Sequence, residues 1–164
     1  MTECELERYM RLYYKSVYRI ALCRCKDPED ANDAAQEVFL KLYTVGGKFN
    51  GDEHVKAWLL RCAMNLGTDM LRARINRAAA RTDTREPVYY DDKDTDSGRV
   101  FELFRELPEK NRTAMYLHYC EGYSVEEVSD ITGASRSAVL SRLKRGRDRL
   151  KDLLKKEGIG KYGI

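Results

Sequence analysis

The chain has 164 residues, 30 Lys+Arg against 27 Asp+Glu, 43% hydrophobic and 35% charged side chains; this fits one globular domain or two small ones and excludes a long disordered polyelectrolyte. No apolar run approaches the roughly 20 residues of a bilayer span, and the acidic start MTECELER is unlike a secretory signal, so a cytoplasmic protein without membrane insertion is expected. Five scattered cysteines argue against a disulfide framework, and two histidines, His54 and His118, without CxxC or HExxH spacing, give no reason to expect a metal or other cofactor.

In chain order, Leu6, Tyr9, Met10, Tyr13, Val17, Ile20 and Ala21 recur at steps of three and four, which predicts a first helix. Asp27, Pro28, Glu29 and Asp30 supply an N-cap, a proline for the first helical position and acids for the positive end of the dipole. They open a second helix with an apolar face of Ala31, Ala34, Ala35, Val38 and Leu42, closed by Gly46 and Gly47. After a loop over 46–53, a third helix is expected to bury Val55, Trp58, Leu59, Cys62, Leu66 and Met70 before running into Arg72, Arg74 and Arg77. Three such helices can close a small core. Residues 82–98, with six acids, a proline and a glycine, have no helical period and read as a flexible linker. Helical pattern resumes at Arg99 with Val100, Leu103, Phe104 and Leu107, breaks at Pro108, and continues through Ala114, Met115, Leu117, His118 and Tyr119 to Gly122. Ser124 and Glu127 form a capping box for a short helix with Val125, Val128 and Ile131 on one face; Gly133 ends it. Ser135 caps a last helix bearing Val139, Leu143, Leu150, Leu153 and Leu154. No strand is expected. The fold class is all-α, with domains over 1–81 and 99–164.

Charge is segregated along this framework. Segments 1–55, 56–81, 82–98, 99–134 and 135–164 carry −2, +5, −4, −3 and +7. Two basic blocks separated by acidic ones suit a protein that meets a polyanion at two places. The last pair of helices, joined by a turn at Gly133 with small Ser129 at the crossing, has the spacing of a helix-turn-helix. Its second helix carries Arg136, Ser137, Ser141, Arg142, Lys144, Arg145, Arg147 and Arg149, residue types suited to phosphates and base edges in a major groove.

The stretches DANDAAQEVFLKLY and KAWLLRCAMNLGTDMLRAR, within 30–74, and LPEKNRTAMYLHYCEGYSVEEVSDITGASRSAVLSRLKRGRDRLKDLL resemble, in order, the two domains of an extracytoplasmic-function sigma factor of bacterial RNA polymerase, in the sigma-70 family. The acidic QE-containing helix, the AWL run and the Asn seven residues after the Trp are specific features. The resemblance implies a transcription initiation factor that binds the polymerase core and directs it to promoters through two elements. By that resemblance, Asp30, Asp33, Gln36, Glu37 and Phe39 would dock on the clamp helices of the polymerase β′ subunit. Phe49 in the loop and Lys56, Arg61 and Asn65 on the third helix would capture unstacked bases of the downstream element. Arg112, Ser124, Arg136, Ser137, Ser141, Lys144 and Arg145 would read the upstream element as duplex, the last three at base edges. The second domain would rest on the flap of the β subunit. Promoter DNA and an anti-sigma factor complete the implied partners, although no residue here identifies the latter.

The chain departs from the family pattern at four places. Leu140 stands where many members have a basic residue, Tyr43 where many have Trp, Met64 where a polar or basic residue is common, and Gly146 interrupts the basic helix at a propensity cost of roughly 1 kcal/mol against Ala. Two other functions compete. A free-standing regulator would need a dimerisation or effector domain in place of the N-terminal module. An enzyme acting on nucleic acid would need a phosphate loop, a metal-ligand set or a nucleophile with its base, and the sequence offers none, so no catalytic residue is expected.

Overall fold

A computed structural model describes residues 1–80 and 102–158. The chain divides into two compact units, Met1–Tyr89 and Tyr90–Ile164, and every regular element among the described residues is helical. The acidic segment 82–98, and the renewed pattern at Arg99 and Val100, lie outside the described residues.

In the first unit α1 spans Glu3–Cys25, α2 Pro28–Val45 and α3 Asp52–Ala80, each packed on the other two. α1 begins before Leu6 because Thr2 forms a capping box: its hydroxyl accepts from the Glu5 N–H at 3.2 Å while its own N–H donates to Glu5 Oε2 at 2.8 Å. α2 is capped as its sequence demands, the Asp27 carboxylate accepting from the Asp30 N–H at 2.9 Å with Pro28 next. Its expected apolar face is wholly buried.

The face of α3 needs correction. Val55 and Leu59 are buried as expected, but the core is completed by Leu60, Ala63 and Met64, while Trp58, Cys62, Leu66 and Met70 are only half-buried. α3 is apolar around much of its girth, so periodicity alone does not choose the buried side; simultaneous packing against α1 and α2 does. Two polar clamps fix the arrangement. Arg8 of α1 donates to both carboxylate oxygens of Asp52, at 2.7 and 2.8 Å, at the start of α3. Near the other end, Arg74 of α3 lies 2.9 Å from Asp27 and 2.9 Å from Asp30 at the start of α2.

In the second unit a helical turn over 102–105 buries Leu103 and Phe104, and Pro108 precedes α4, Glu109–Met115. α4 passes directly into a π-helical segment, Tyr116–Cys120, that the sequence does not announce. The Tyr123 N–H reaches back to the Leu117 carbonyl at 3.1 Å, and His118 Nδ1 donates to the Tyr123 carbonyl at 2.7 Å, so the chain turns sharply into α5, Val125–Thr132. α6, Arg136–Lys156, follows after three residues. It packs on α4 and α5 through Val139, Leu143, Gly146, Leu150, Leu153 and Leu154.

Candidate nucleic-acid interface

The helix-turn-helix is held by short, mutually dependent bonds. Ser124 and Glu127 make the expected capping box at the start of α5. Gly133 adopts φ 74°, a left-handed conformation that closes α5 with little strain in glycine. Ser129 Oγ donates across the turn to the Ala134 carbonyl at 2.5 Å, and Ser135 Oγ accepts from the Ala138 N–H at 3.1 Å to start α6. The buried stripe of α6 leaves Ser137, Leu140, Ser141, Lys144 and Arg145 exposed together on the opposite side. Arg136 is exposed at the N-terminus, its Nε donating to Glu126 Oε1 of α5 at 2.7 Å. That hydrogen bond holds the Glu126 carboxyl below its usual range.

Arg112 is a correction. It is completely buried and donates through Nη1 to the carbonyls of Arg105 and Leu107, both at 2.8 Å, tying the 102–105 turn to α4. A guanidinium sealed inside the unit cannot meet a phosphate. Gly146 also acquires a different meaning: a Cβ there would fall 2.2 Å from Met115 Sδ, so this glycine is where α6 and α4 approach closely.

On the first unit, His54, Trp58, Arg61 and Asn65 follow one another at steps of four, three and four along α3 and therefore share a face. Phe49 of the preceding loop packs edge-on against both His54 and Trp58, at ring-centroid distances of 5.3 and 5.7 Å. His54 Nδ1 accepts from the Asn50 N–H at 3.1 Å and so anchors the same loop. Arg61 and Asn65 are exposed. Lys56 does not join them, because it precedes Asn65 by about two and a half turns and so lies on the other side of α3. Trp58, expected in the core, instead borders this aromatic cluster.

The outward face of α2 carries Asp33, Gln36 and Glu37, all exposed. Among them stands Leu40, 65% exposed. It is an apolar residue that the sequence reading missed; the signal was its place off the buried stripe. Phe39 is not on this face: it is buried and stacks on Tyr14 of α1 at 6.0 Å. The Asp30 carboxylate is engaged by Arg74 rather than offered outward.

Fold and charge together define a helical DNA-binding protein with a helix-turn-helix and a separate three-helix module. The family model for sigma-70 region 2 matches residues 7–77, and that for sigma-70 region 4 matches residues 97–150. RNA polymerase sigma-H factor of Pseudomonas aeruginosa is 32% identical over 138 residues, covering 74% of this chain and 72% of that protein. The ECF RNA polymerase sigma factor SigM of Mycobacterium tuberculosis is 28% identical over 149 residues, covering 90% and 76%. The sigma factor RpoE of Bartonella quintana, solved in complex with the anti-sigma factor NepR, has the same fold, with a TM-score of 0.75 over 92% of this chain and 97% of that one at 21% identity. The chain belongs to the extracytoplasmic-function group of the sigma-70 family. It is a transcription initiation factor that directs RNA polymerase to specific promoters.

Proposed function

We propose that the outward face of α6 reads the upstream promoter element as duplex DNA, with Lys144, Arg145 and Ser141 at base edges and Arg136, Ser137 and Ser124 at the backbone. The observation that carries this reading is the exposure of Ser137, Ser141, Lys144 and Arg145 on one side of a helix whose other side is locked into the unit. Good base contacts are worth about 1–3 kcal/mol each, whereas phosphate contacts act on all sequences alike. Lys144→Ala with Arg145→Ala should therefore erase discrimination between matched and scrambled upstream elements. Arg136→Ala should weaken binding to both and lower the salt slope by roughly one. Filter binding by the holoenzyme across a salt series measures both effects, and unchanged discrimination in the double variant would refute the reading.

The downstream element meets the α3 face as opened single strand, an extruded base stacking beside Phe49 and Trp58, Asn65 reading its edge and Arg61 holding the backbone. Asp33, Gln36, Glu37 and Leu40 form the surface that docks on the clamp helices of the β′ subunit, polar groups surrounding an apolar anchor. The second unit rests on the β flap. Binding energy alone performs this work: polymerase holds two readers together, raising the effective concentration of the second once the first engages, and captured bases stabilise the open strand. The protein works without catalysis of its own, in the cytoplasm, and an anti-sigma factor of the kind bound by its structural relative is its regulator. Asp33→Lys with Glu37→Lys leaves the buried face of α2 intact. It should preserve the thermal melt while abolishing pull-down of core polymerase and promoter-dependent run-off transcription.

A further inference from the structure

Leu140 stands where nothing in the fold asks for a hydrocarbon. It is 43% exposed, while Val139, Leu143, Leu150, Leu153 and Leu154 of the same helix are buried. Ser137 lies about one turn before it, Lys144 about one turn after it, and Ser141 beside it, all exposed. This places a branched apolar side chain in the middle of a face otherwise made of hydroxyls and cations. Such a side chain forms no hydrogen bonds. Pressed into a major groove against guanine, adenine or cytosine, it would cover donors and acceptors without pairing them, at a cost in free energy. Thymine differs, because its C5 methyl group is the one apolar feature that an unmodified base displays in that groove. The flanking Lys144 and Arg145 make a polyanion the complementary partner for this face, so duplex DNA is the occupant favoured over a protein surface.

We infer that Leu140 is a specificity-determining residue: it selects a thymine in the upstream element by packing on the C5 methyl. This rests on the reading of α6 as the groove-reading helix.

The test uses the full chain bound to core polymerase and a duplex library randomised across the upstream segment, amplified in one pool with thymidine triphosphate and in the other with deoxyuridine triphosphate, which lacks the methyl. The parent enriches thymine at one upstream position in the first pool, and uracil is not enriched there in the second. On the selected duplex, replacing that single thymine by deoxyuridine weakens parent binding about three- to fivefold, the size expected for burying one methyl group. Leu140→Ala loses a similar factor on the thymine duplex and does not distinguish thymine from uracil. Leu140→Arg shifts the enriched base at that position to guanine, the base an arginine can grip through O6 and N7. The exposure of Leu140 lets these variants fold, which circular dichroism checks.

The inference is overturned if the parent shows no methyl-dependent position, or if Leu140→Ala keeps the preference. The Lys144→Ala, Arg145→Ala double variant separates two kinds of failure. If it loses upstream enrichment while the methyl makes no difference to the parent, α6 reads DNA without Leu140. If it keeps the parent's enrichment, α6 is not the reader and both statements fall.

Discussion

Gly146 has no side chain because Met115 of α4 fills the space where one would lie. A Cβ there would stand 2.2 Å from Met115 Sδ and 2.9 Å from its Cγ, and Met115 is itself buried, so it has little freedom to swing away. In an exposed helix Gly→Ala gains about 1 kcal/mol of propensity. Here overpacking, at about 1–3 kcal/mol, outweighs that gain. Gly146→Ala should therefore destabilise the second unit in urea denaturation, whereas in a Met115→Ala background, where the clash is gone, the same change should instead stabilise it by roughly the helix-forming benefit. Arg112 obeys the same inward logic. Replacing it with Met takes the Nη1 donor away from the buried Leu107 carbonyl and the part-buried Arg105 carbonyl, at a cost of about 2–3 kcal/mol. Melting should show that loss directly. DNA affinity corrected for the unfolded fraction should stay near the parent's, which a phosphate-binding arginine would not allow.

The Arg74 clamp joins two helices that the chain separates by most of α2 and α3. Burial alone would raise the Asp27 carboxyl, but the Asp30 N–H and the Arg74 guanidinium outweigh it, so the group ionises below its ordinary value. A carboxyl lowered on folding contributes stability above its unfolded pKa and loses it as the pH falls through the folded one. Arg74→Met should cost about 1–2 kcal/mol near neutrality. The parent's advantage should shrink as the pH drops below about 4, as denaturant midpoints measured across pH 3–7 would show. At this scale much was legible beforehand: the caps at Asp27, Ser124 and Ser135, the stops at Gly46 and Gly133, and the buried stripes of α2 and α6 are all local chemistry. What was hidden depends on partners distant in sequence. Phe39 follows Val38 at the edge of the α2 stripe, and its burial, with Tyr14 of α1 stacked on it, depends on a neighbouring helix that the pattern of α2 does not show. Arg112 in a basic chain reads as surface until the 102–105 turn folds over it. The π-helical segment has no composition of its own and arises from the bonds joining Tyr116–Cys120 to the turn at Tyr123.

Taken whole, the molecule has a core in each unit, one built by α1, α2 and α3 and the other by α4, α5, α6 and the π-helical segment. Leu42 is fully buried in the first and Leu150 is 4% exposed in the second. Truncating a buried leucine to alanine costs about 2–5 kcal/mol. Scanning calorimetry should resolve two endotherms, Leu42→Ala lowering one and Leu150→Ala the other. A single transition displaced equally by both variants would show that the units fold as one. The basic face of α6 and the exposed cations of α3, Arg61, Arg72 and Arg77, belong to different cores.

Trp58 is the single tryptophan of the chain, and it packs against Phe49 on the side of α3 that also carries Arg61 and Asn65. A fluorinated tryptophan supplied while this chain alone is expressed would give one fluorine resonance, even after assembly with a polymerase whose own tryptophans stay unlabelled and silent. On the proposed reading of this face, ring currents from a base stacking beside Phe49 and Trp58 would move that resonance, and its shift would time the moment at which the promoter strands part.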